Sequence, residues 1–434
     1  MSPPNEPPAR SPSAPGQGAS LDNWLSYLES IHPTEIDLGL DRVLVVFRRL
    51  FRGNPRARII TVGGTNGKGS TVVALEHLLA SAGRTTGAYT SPHLQRYNER
   101  VRINGKEVSD QTLVRAFDAV EAARGSTTLT YFEFGTLAAF VVFRESGVDD
   151  WVLEVGLGGR LDAVNIVDAD LAIITSVDID HVSYLGDNRE SIGFEKAGIL
   201  RPNRPAIFAD VDPPRSVLQQ ANAQRVRLLR PGDGYQIRRS ADDNAGTWLQ
   251  IDDAPTVISL PDQGLPVQSL AAAVVAIRRL EPELSAVLIE SILRDLTLPG
   301  RFEQLGKAPL IIADVGHNPH AARWLCSRIG AMRQPGQRVL AIYGALADKD
   351  VEGVVGAMAE QVDEWFFAAL DVPRGLDCNA LTERAGIMTN GGPAGCFSSV
   401  QAALTAALSR TRENDLLLIF GSFFTVAAAR DALL

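Results

Sequence analysis

Ile59-Ile60-Thr61-Val62 runs into Gly63-Gly64-Thr65-Asn66-Gly67-Lys68-Gly69-Ser70-Thr71, an apolar strand followed by a glycine-rich turn and the opening of a helix. The helix is expected over residues 70–82, where Gly83 supplies the stop. This is the context a phosphate-binding loop requires. Glycines let the backbone wrap an anion, and the first amides of the helix point at it. Lys68 adds positive charge at the β- and γ-phosphates, and the Ser70 hydroxyl reaches a magnesium ion. Gly64, Thr65, Asn66, Gly67, Gly69 and Thr71 complete the candidate nucleotide contacts. The spacing departs from the usual Gly-x-x-x-x-Gly-Lys-Ser/Thr pattern, because Gly69 separates Lys68 from Ser70. The bland alternative is a glycine-rich connection without a ligand. The strand, helix, lysine and hydroxyls together favour a nucleotide.

Outward from the loop, strands and helices alternate. Residues 86–90, 151–155 and 171–177 read as further strands, which implies a parallel sheet flanked by helices. Upstream, Trp24, Leu25, Leu28 and Ile31 fall at helical spacing. Residues 226–260 break into short strand-like runs separated by turns, as in a small β-insertion, and a helix follows over 266–280. Leu298-Pro299-Gly300 reads as a hinge. Beyond it a second series has strands at 310–313, Val339–Tyr343, 365–368 and Leu416–Phe420. The expected fold class is α/β. Residues 21–297 form a P-loop-type ATPase domain with a mostly parallel sheet, and residues 298–434 a smaller Rossmann-like α/β domain.

The chain has 434 residues, enough for two or three domains. Hydrophobic residues make up 45% and charged residues 21%, which excludes wholesale disorder. Lys and Arg number 42 against 51 Asp and Glu, for a net charge of −9. That argues against nucleic acid or an anionic membrane as the main partner. Apolar runs such as 137–143 fall far short of the roughly 20 residues that span a bilayer. Residues 1–20, rich in Pro, Ser, Gly and Ala, read as a disordered tail without the features of a secretory signal. Cys326, Cys378 and Cys396 are widely spaced and suggest neither a disulfide framework nor a zinc site. The implied compartment is reducing, most simply the cytoplasm.

Further polar groups stand at strand ends. Ser91 follows the strand 86–90, Glu154 lies inside Trp151-Val152-Leu153-Glu154-Val155-Gly156, and His181 follows 171–177. In open α/β sheets ligands bind beyond the carboxyl ends of the strands. A buried carboxylate needs a cation or strong donors, and magnesium takes oxygen ligands alongside phosphates and water. Glu154 with Ser70 or Ser91 is therefore a candidate magnesium site. Alone, His181 reads as a structural histidine and Lys196 as a solvated helix lysine.

Together these segments resemble the Mur ligase superfamily, and within it the bacterial bifunctional dihydrofolate synthase/folylpolyglutamate synthase family. The resemblance rests on Ile31-His32-Pro33, the run 37–43, Gly64 to Ser70, Thr90-Ser91-Pro92-His93-Leu94 and Asn98-Glu99-Arg100. It continues through Tyr131-Phe132-Glu133, the run 154–165, Asp180-His181 and Glu195-Lys196-Ala197-Gly198-Ile199. It ends with Pro299-Gly300-Arg301-Phe302-Glu303, Asp314-Val315-Gly316-His317-Asn318-Pro319, Asp348-Lys349-Asp350 and Gly421-Ser422-Phe423. It covers roughly residues 21–434.

What the resemblance implies is an ATP- and magnesium-dependent ligase. It joins L-glutamate to dihydropteroate, and to the γ-carboxylate of reduced folates, through an acyl phosphate. Its partners are small molecules rather than nucleic acid or membrane, and a chain of this size class can work as a monomer. Lys68 would sit on the ATP phosphates, with Ser70, Ser91, Glu154 and His181 lining the metal sites. Lys196 would be carbamylated, turning from a cation into a metal-ligating anion. Arg301 and Asp314 would reach the nucleotide from the second domain, and His317 would lie beside the reacting groups. Leu161, Asp162 and Ala163 would help form the pterin site, and Ser422 would help hold glutamate. The alternative for Asp162 is a cap on the turn after Gly158-Gly159. One position departs from the family. An Asn that often contacts the adenine is replaced by Ser269, which makes fewer hydrogen bonds, and Gln268 is the candidate to compensate.

Two other readings compete. A cell-wall peptide ligase places a substrate domain before the loop, and residues 21–62 are too few for one. A nucleotide-dependent switch needs the loop but has no use for the set Arg301, Asp314 and His317.

Overall fold

The computed structural model describes residues 13–16, 18–32, 34, 36–239, 246–252, 256–262, 264–386, 389 and 393–434. Most of the expected tail, residues 1–12 and 17, lies outside the described residues, as does Pro33.

The first half is built on strands β1 (Arg58–Gly63), β2 (Thr86–Tyr89), β3 (Val101–Ile103), β4 (Lys106–Glu107), β5 (Asp150–Glu154), β6 (Leu171–Ile174), β7 (Ala206–Phe208), β8 (Leu228–Pro231), β9 (Gly234–Arg239), β10 (Thr247–Ile251) and β11 (Val257–Leu260). Their order is β11-β10-β9-β8-β7-β6-β1-β5-β2-β3-β4. The centre is parallel, from β2 through β5, β1 and β6 to β7, and both ends turn antiparallel. The strands of the expected β-insertion are present, but they do not stand apart. β8 pairs with β7, so the insertion extends the main sheet.

Side-chain parity sorts the core. Ile59, Trp151, Leu153, Ala172 and Ile174 pack on one face against helices Leu21–Ser30, Asp41–Leu50, Asp110–Arg124 and Tyr131–Ser146. Ile60, Val62, Val152, Leu171 and Ile173 pack on the other, against helices Lys68–Ser81, Val267–Leu280 and Ala286–Asp295. The ring of Trp151 lies 5.1 Å from that of Phe140 and 5.6 Å from that of Phe143. Full burial of such a side chain contributes about 1.5–3 kcal/mol. Because successive strand residues alternate faces, Glu154 shares the face of Val152, toward the helix Lys68–Ser81.

Leu298-Pro299-Gly300 links the helix Ala286–Asp295 to a second sheet. That sheet comprises β12 (Glu303–Lys307), β13 (Leu310–Asp314), β14 (Val339–Tyr343), β15 (Glu364–Ala368), β16 (Pro393–Phe397) and β17 (Leu416–Phe420), in the order β12-β13-β17-β14-β15-β16. All its pairings are parallel except β12 with β13. Sequence reading missed β12 and β16. β12 carries Gly306 and a register shift, and is part-exposed, so it lacks an apolar run.

The cysteine expectation is overturned. Cys378, which opens the helix Cys378–Ala385, is disulfide-bonded to Cys396 on β16, with the two Cα atoms 5.3 Å apart. The helix and the strand come together only in the folded sheet, so their sequence spacing hid the pair. The cysteines therefore give no argument for a reducing compartment. Among the described residues no helix is long and apolar enough to cross a membrane.

Candidate active site

The phosphate-loop sequence closes in on itself. Gly64 has φ +146°, and a Cβ there would lie 1.8 Å from Thr175 Oγ1. At Gly67, with φ +84°, a Cβ would lie 2.5 Å from Ser269 Oγ. Only glycine satisfies both the backbone conformation and the space. The loop is tied to the end of the neighbouring strand. The Thr65 amide donates to Ser176 O at 2.9 Å, and Thr175 Oγ1 donates to Asn66 O at 2.6 Å. Gly67 is the helix N-cap, so the helix begins at Lys68, two residues before the sequence boundary. Lys68 folds back over the loop, donating from Nζ to Gly64 O at 3.1 Å and to Thr65 O at 3.2 Å. Thr71 is fully buried and bonds Gly67 O at 3.0 Å, bracing the loop rather than lining the space in front of it.

In front of the loop lies a cavity of about 590 Å³. Gly64 through Ser70, Ser91, Glu154, His181 and Lys196 line it from the first half, and Arg301, Asp314, His317 and Ser422 from the second. Glu154 is 5% exposed, and its Oε2 accepts the Ser91 amide at 3.4 Å. Burial raises its carboxyl above the ordinary value, opposed by Lys68 and Arg301. Ser70 Oγ is buried with no hydrogen-bond partner. Lys196 is 3% exposed, and burial, helped by Lys68, pushes its amine down to about 7. Burial also pushes His181 down to about 4.

The second half presents its groups on backbone supports. Asp314 accepts the amides of Phe302 at 2.8 Å and Gly316 at 2.7 Å. The Arg301 guanidinium stands 4.9 Å from the centre of the Phe423 ring, and burial lowers its pKa. His317 is held by Val315 O at 3.0 Å from Nδ1. Ser422 caps the helix Phe423–Leu433 by accepting the Thr425 amide at 3.0 Å. The cavity lining is thus divided between two walls, one from each half of the chain.

A model of the Mur ligase middle domain matches residues 62–243, and one of the Mur ligase glutamate ligase domain matches residues 300–423. The dihydrofolate synthase/folylpolyglutamate synthase of Escherichia coli K12 is 43% identical over 413 residues, covering 95% of each chain. This chain belongs to that family of Mur ligases. The E. coli enzyme solved with DHPP and ADP superposes with a TM-score of 0.91 at 41% identity, covering 96% of this chain and 99% of that one. A bifunctional folylpolyglutamate synthase/dihydrofolate synthase solved with Mn, AMPPNP and L-glutamate gives 0.89 at 41%, covering 97% and 100%.

Within this Mur ligase, three expected substrate residues stand back from the cavity. Leu157 and Gly158 line it, whereas Leu161, Asp162 and Ala163 do not. Asp162 is buried with both oxygens engaged, accepting Leu157 N at 2.8 Å and Val164 N at 3.0 Å. Burial pushes its carboxyl up to about 6. Ser269 and Gln268 both line the cavity; the Ser269 hydroxyl donates to Gly67 O at 3.2 Å, and the Gln268 side chain is exposed. Sequence reading gave no role to Asp180, Lys349, His93 or Arg100. The signal available for them was a charged or imidazole side chain in a family motif, and their use is visible only from their partners.

Proposed function

We propose that this protein is an ATP-dependent ligase that adds L-glutamate to dihydropteroate, forming dihydrofolate, and to the γ-carboxylate of reduced folates. The observation that carries the reading is one shared cavity with the phosphate loop on one wall and Arg301, Asp314, His317 and Ser422 on the other. The ligands of the solved relatives, DHPP and ADP in one and Mn, AMPPNP and L-glutamate in another, support it. The division into two domains is placed at 297/298, in the link between the helix Ala286–Asp295 and β12.

The residues present fit magnesium. Ser70 Oγ is an orphaned buried oxygen, and Glu154 and Ser91 stand on the same cavity wall. Such a set suits a hard cation that keeps phosphate and water ligands. Among the described residues no cluster of three or more His, Cys, Asp and Glu side chains is arranged to hold a metal by itself. When bound, magnesium supplies positive charge to the phosphoryl group in transfer. His181 and a carbamylated Lys196 complete the set. A lysine amine sealed in the wall and partly neutral forms an N–C bond to carbon dioxide and releases a proton, which replaces the cation by an anion.

A carboxylate is anionic and resonance-stabilised, so it does not react with an amine at neutral pH. One of its oxygens takes the γ-phosphoryl group of ATP, ADP leaves, and an acyl phosphate remains. The glutamate amine attacks the acyl carbon, phosphate departs, and the amine proton is lost. Lys68 and Arg301 neutralise charge on the transferring group, and Asp314 fixes the loop that presents Arg301 and His317. His317 stands beside the reacting ends and Ser422 beside the glutamate. Closing the cleft keeps water from the acyl phosphate. Leu161, Asp162 and Ala163 act on the pterin through the wall of Leu157 and Gly158 that Asp162 holds in place. The working unit is a monomer, because one chain supplies both walls, and the ATP supply places it in the cytoplasm. The test is purified protein with ATP, magnesium, glutamate and either dihydropteroate or tetrahydrofolate, with products weighed by mass spectrometry. Absence of a glutamyl product from both acceptors overturns the reading.

A further inference from the structure

Arg100 is 9% exposed and lines the cavity on the wall formed by residues 91–94. Its Nε donates to His93 Nδ1 at 2.8 Å. Its guanidinium carbon lies 5.3 Å from the centre of the Tyr97 ring and 5.5 Å from that of Tyr131. Among the described residues no carboxylate pairs with it, and neither terminal nitrogen donates to a protein group. Other sheltered arginines of this half are neutralised: Arg102 by Glu76 at 2.9 Å and Arg58 by Asp150 at 2.6 Å. A guanidinium withdrawn from water needs an anion, and two tyrosine faces are a partial substitute. His93 accepts at Nδ1, so the neutral ring carries its proton on Nε2 and offers a second donor.

We propose that Arg100 is a specificity residue for chain elongation. Its free edge receives the α-carboxylate of the terminal glutamate of a folate acceptor, while the neighbouring γ-carboxylate is phosphorylated. The proposal rests on the ligase reading above. The planar fork of arginine matches a carboxylate in two parallel hydrogen bonds. Every γ-linked chain again ends in an α- and a γ-carboxylate, so one arginine serves each round. Dihydropteroate has only the carboxylate that reacts, so Arg100 has nothing further to hold in that reaction. The incoming glutamate is the poorer match. Arg100 shares the wall of Ser91 and Glu154, whereas Lys349 and Ser422 line the cavity from the second half.

The test is steady-state kinetics of wild type, Arg100→Lys and Arg100→Met with dihydropteroate and with tetrahydrofolate, glutamate being varied in each. Arg100→Met is expected to raise KM for tetrahydrofolate about tenfold or more, with the lysine variant between. KM for dihydropteroate and for glutamate should stay within about twofold, as the contact is absent from both. A second arm needs no variant: wild type is given tetrahydrofolate whose α-carboxylate is converted to the carboxamide. Its KM should rise as far as that of Arg100→Met, and it decides the matter alone if the variants fail to fold. Equal losses with both acceptors would make Arg100 a structural prop and overturn the proposal. So would a rise confined to KM for glutamate, or an amide used as well as the acid. If wild type extends neither acceptor, the ligase reading itself fails and takes this proposal with it.

Discussion

Lys349 Nζ lies 2.9 Å from Asp180 Oδ1, joining the loop after β14 to the segment after β6 across the cleft. The two side chains are 8% and 10% exposed. Asp180 also accepts Asn318 Nδ2 at 3.1 Å and faces His317 Nε2 at 3.6 Å, and Asn66 and Asn318 exchange hydrogen bonds at 3.0 Å. A carboxylate of the ATP-binding half is thus gripped by three side chains of the other half.

Asp180→Ala takes the nearer anion from sheltered Lys349 and leaves it only Asp348 at 3.7 Å, which costs the closed form up to about 3 kcal/mol. The expected outcome is a larger radius of gyration by solution scattering and a fall of roughly tenfold or more in kcat/KM. In a double-mutant cycle Asp180→Ala and Lys349→Ala should be non-additive by about 1 kcal/mol or more. Additive losses with an unchanged radius would show that the contact does not hold the halves together.

Lys68→Ala should abolish most turnover, by about a hundredfold or more in kcat, because charge on the transferring phosphoryl group then lacks its ammonium. Melting temperature should hold within a few degrees, since Lys68 Nζ bonds only two carbonyls of its own loop. Near-normal turnover of the folded variant would remove Lys68 from the chemistry.

If Lys196 carries a carbamate, activity of bicarbonate-stripped enzyme should rise when bicarbonate is returned. Lys196→Ala should lose activity that acetate partly restores by placing a carboxylate in the vacated space. Mass spectrometry of the native protein should detect the added carbon dioxide. Full activity with an unmodified amine would refute the modification.

Asp162→Ala removes the acceptor for two backbone amides and should lower stability by about 1–2 kcal/mol, as loss of a capping side chain does. It should also raise KM for dihydropteroate, because Leu157 loses its anchor at the cavity wall. Asp162→Asn, which keeps an acceptor oxygen, should recover part of both effects. Normal dihydropteroate binding by Asp162→Ala would detach this loop from the acceptor site. A wild type that makes no dihydrofolate would end the bifunctional reading.

Local physics made much of this protein legible before folding was considered. The β1 strand, the glycine turn and the helix after it follow from a change of apolar period and from backbone conformations that only glycine adopts at Gly64 and Gly67. The same holds for β14 and β17, whose sequence boundaries coincide with the observed ones. The apolar flanks of Glu154 also foreshadowed its shelter, since a carboxylate inside an apolar run has to find a cation or strong donors.

Tertiary structure alone decided the rest, because the deciding partners are far apart in sequence. Asp180 meets Lys349, Cys378 meets Cys396, and Ser269 closes over Gly67 only after helices and strands have packed. It also decided that Asp162 serves the backbone of its own loop, and that Arg100 faces the cavity with no carboxylate paired to it among the described residues. A residue's type and spacing record what bonds it is able to make. Which of those bonds are left for a ligand depends on what the fold has already used, and that sum closes only in three dimensions.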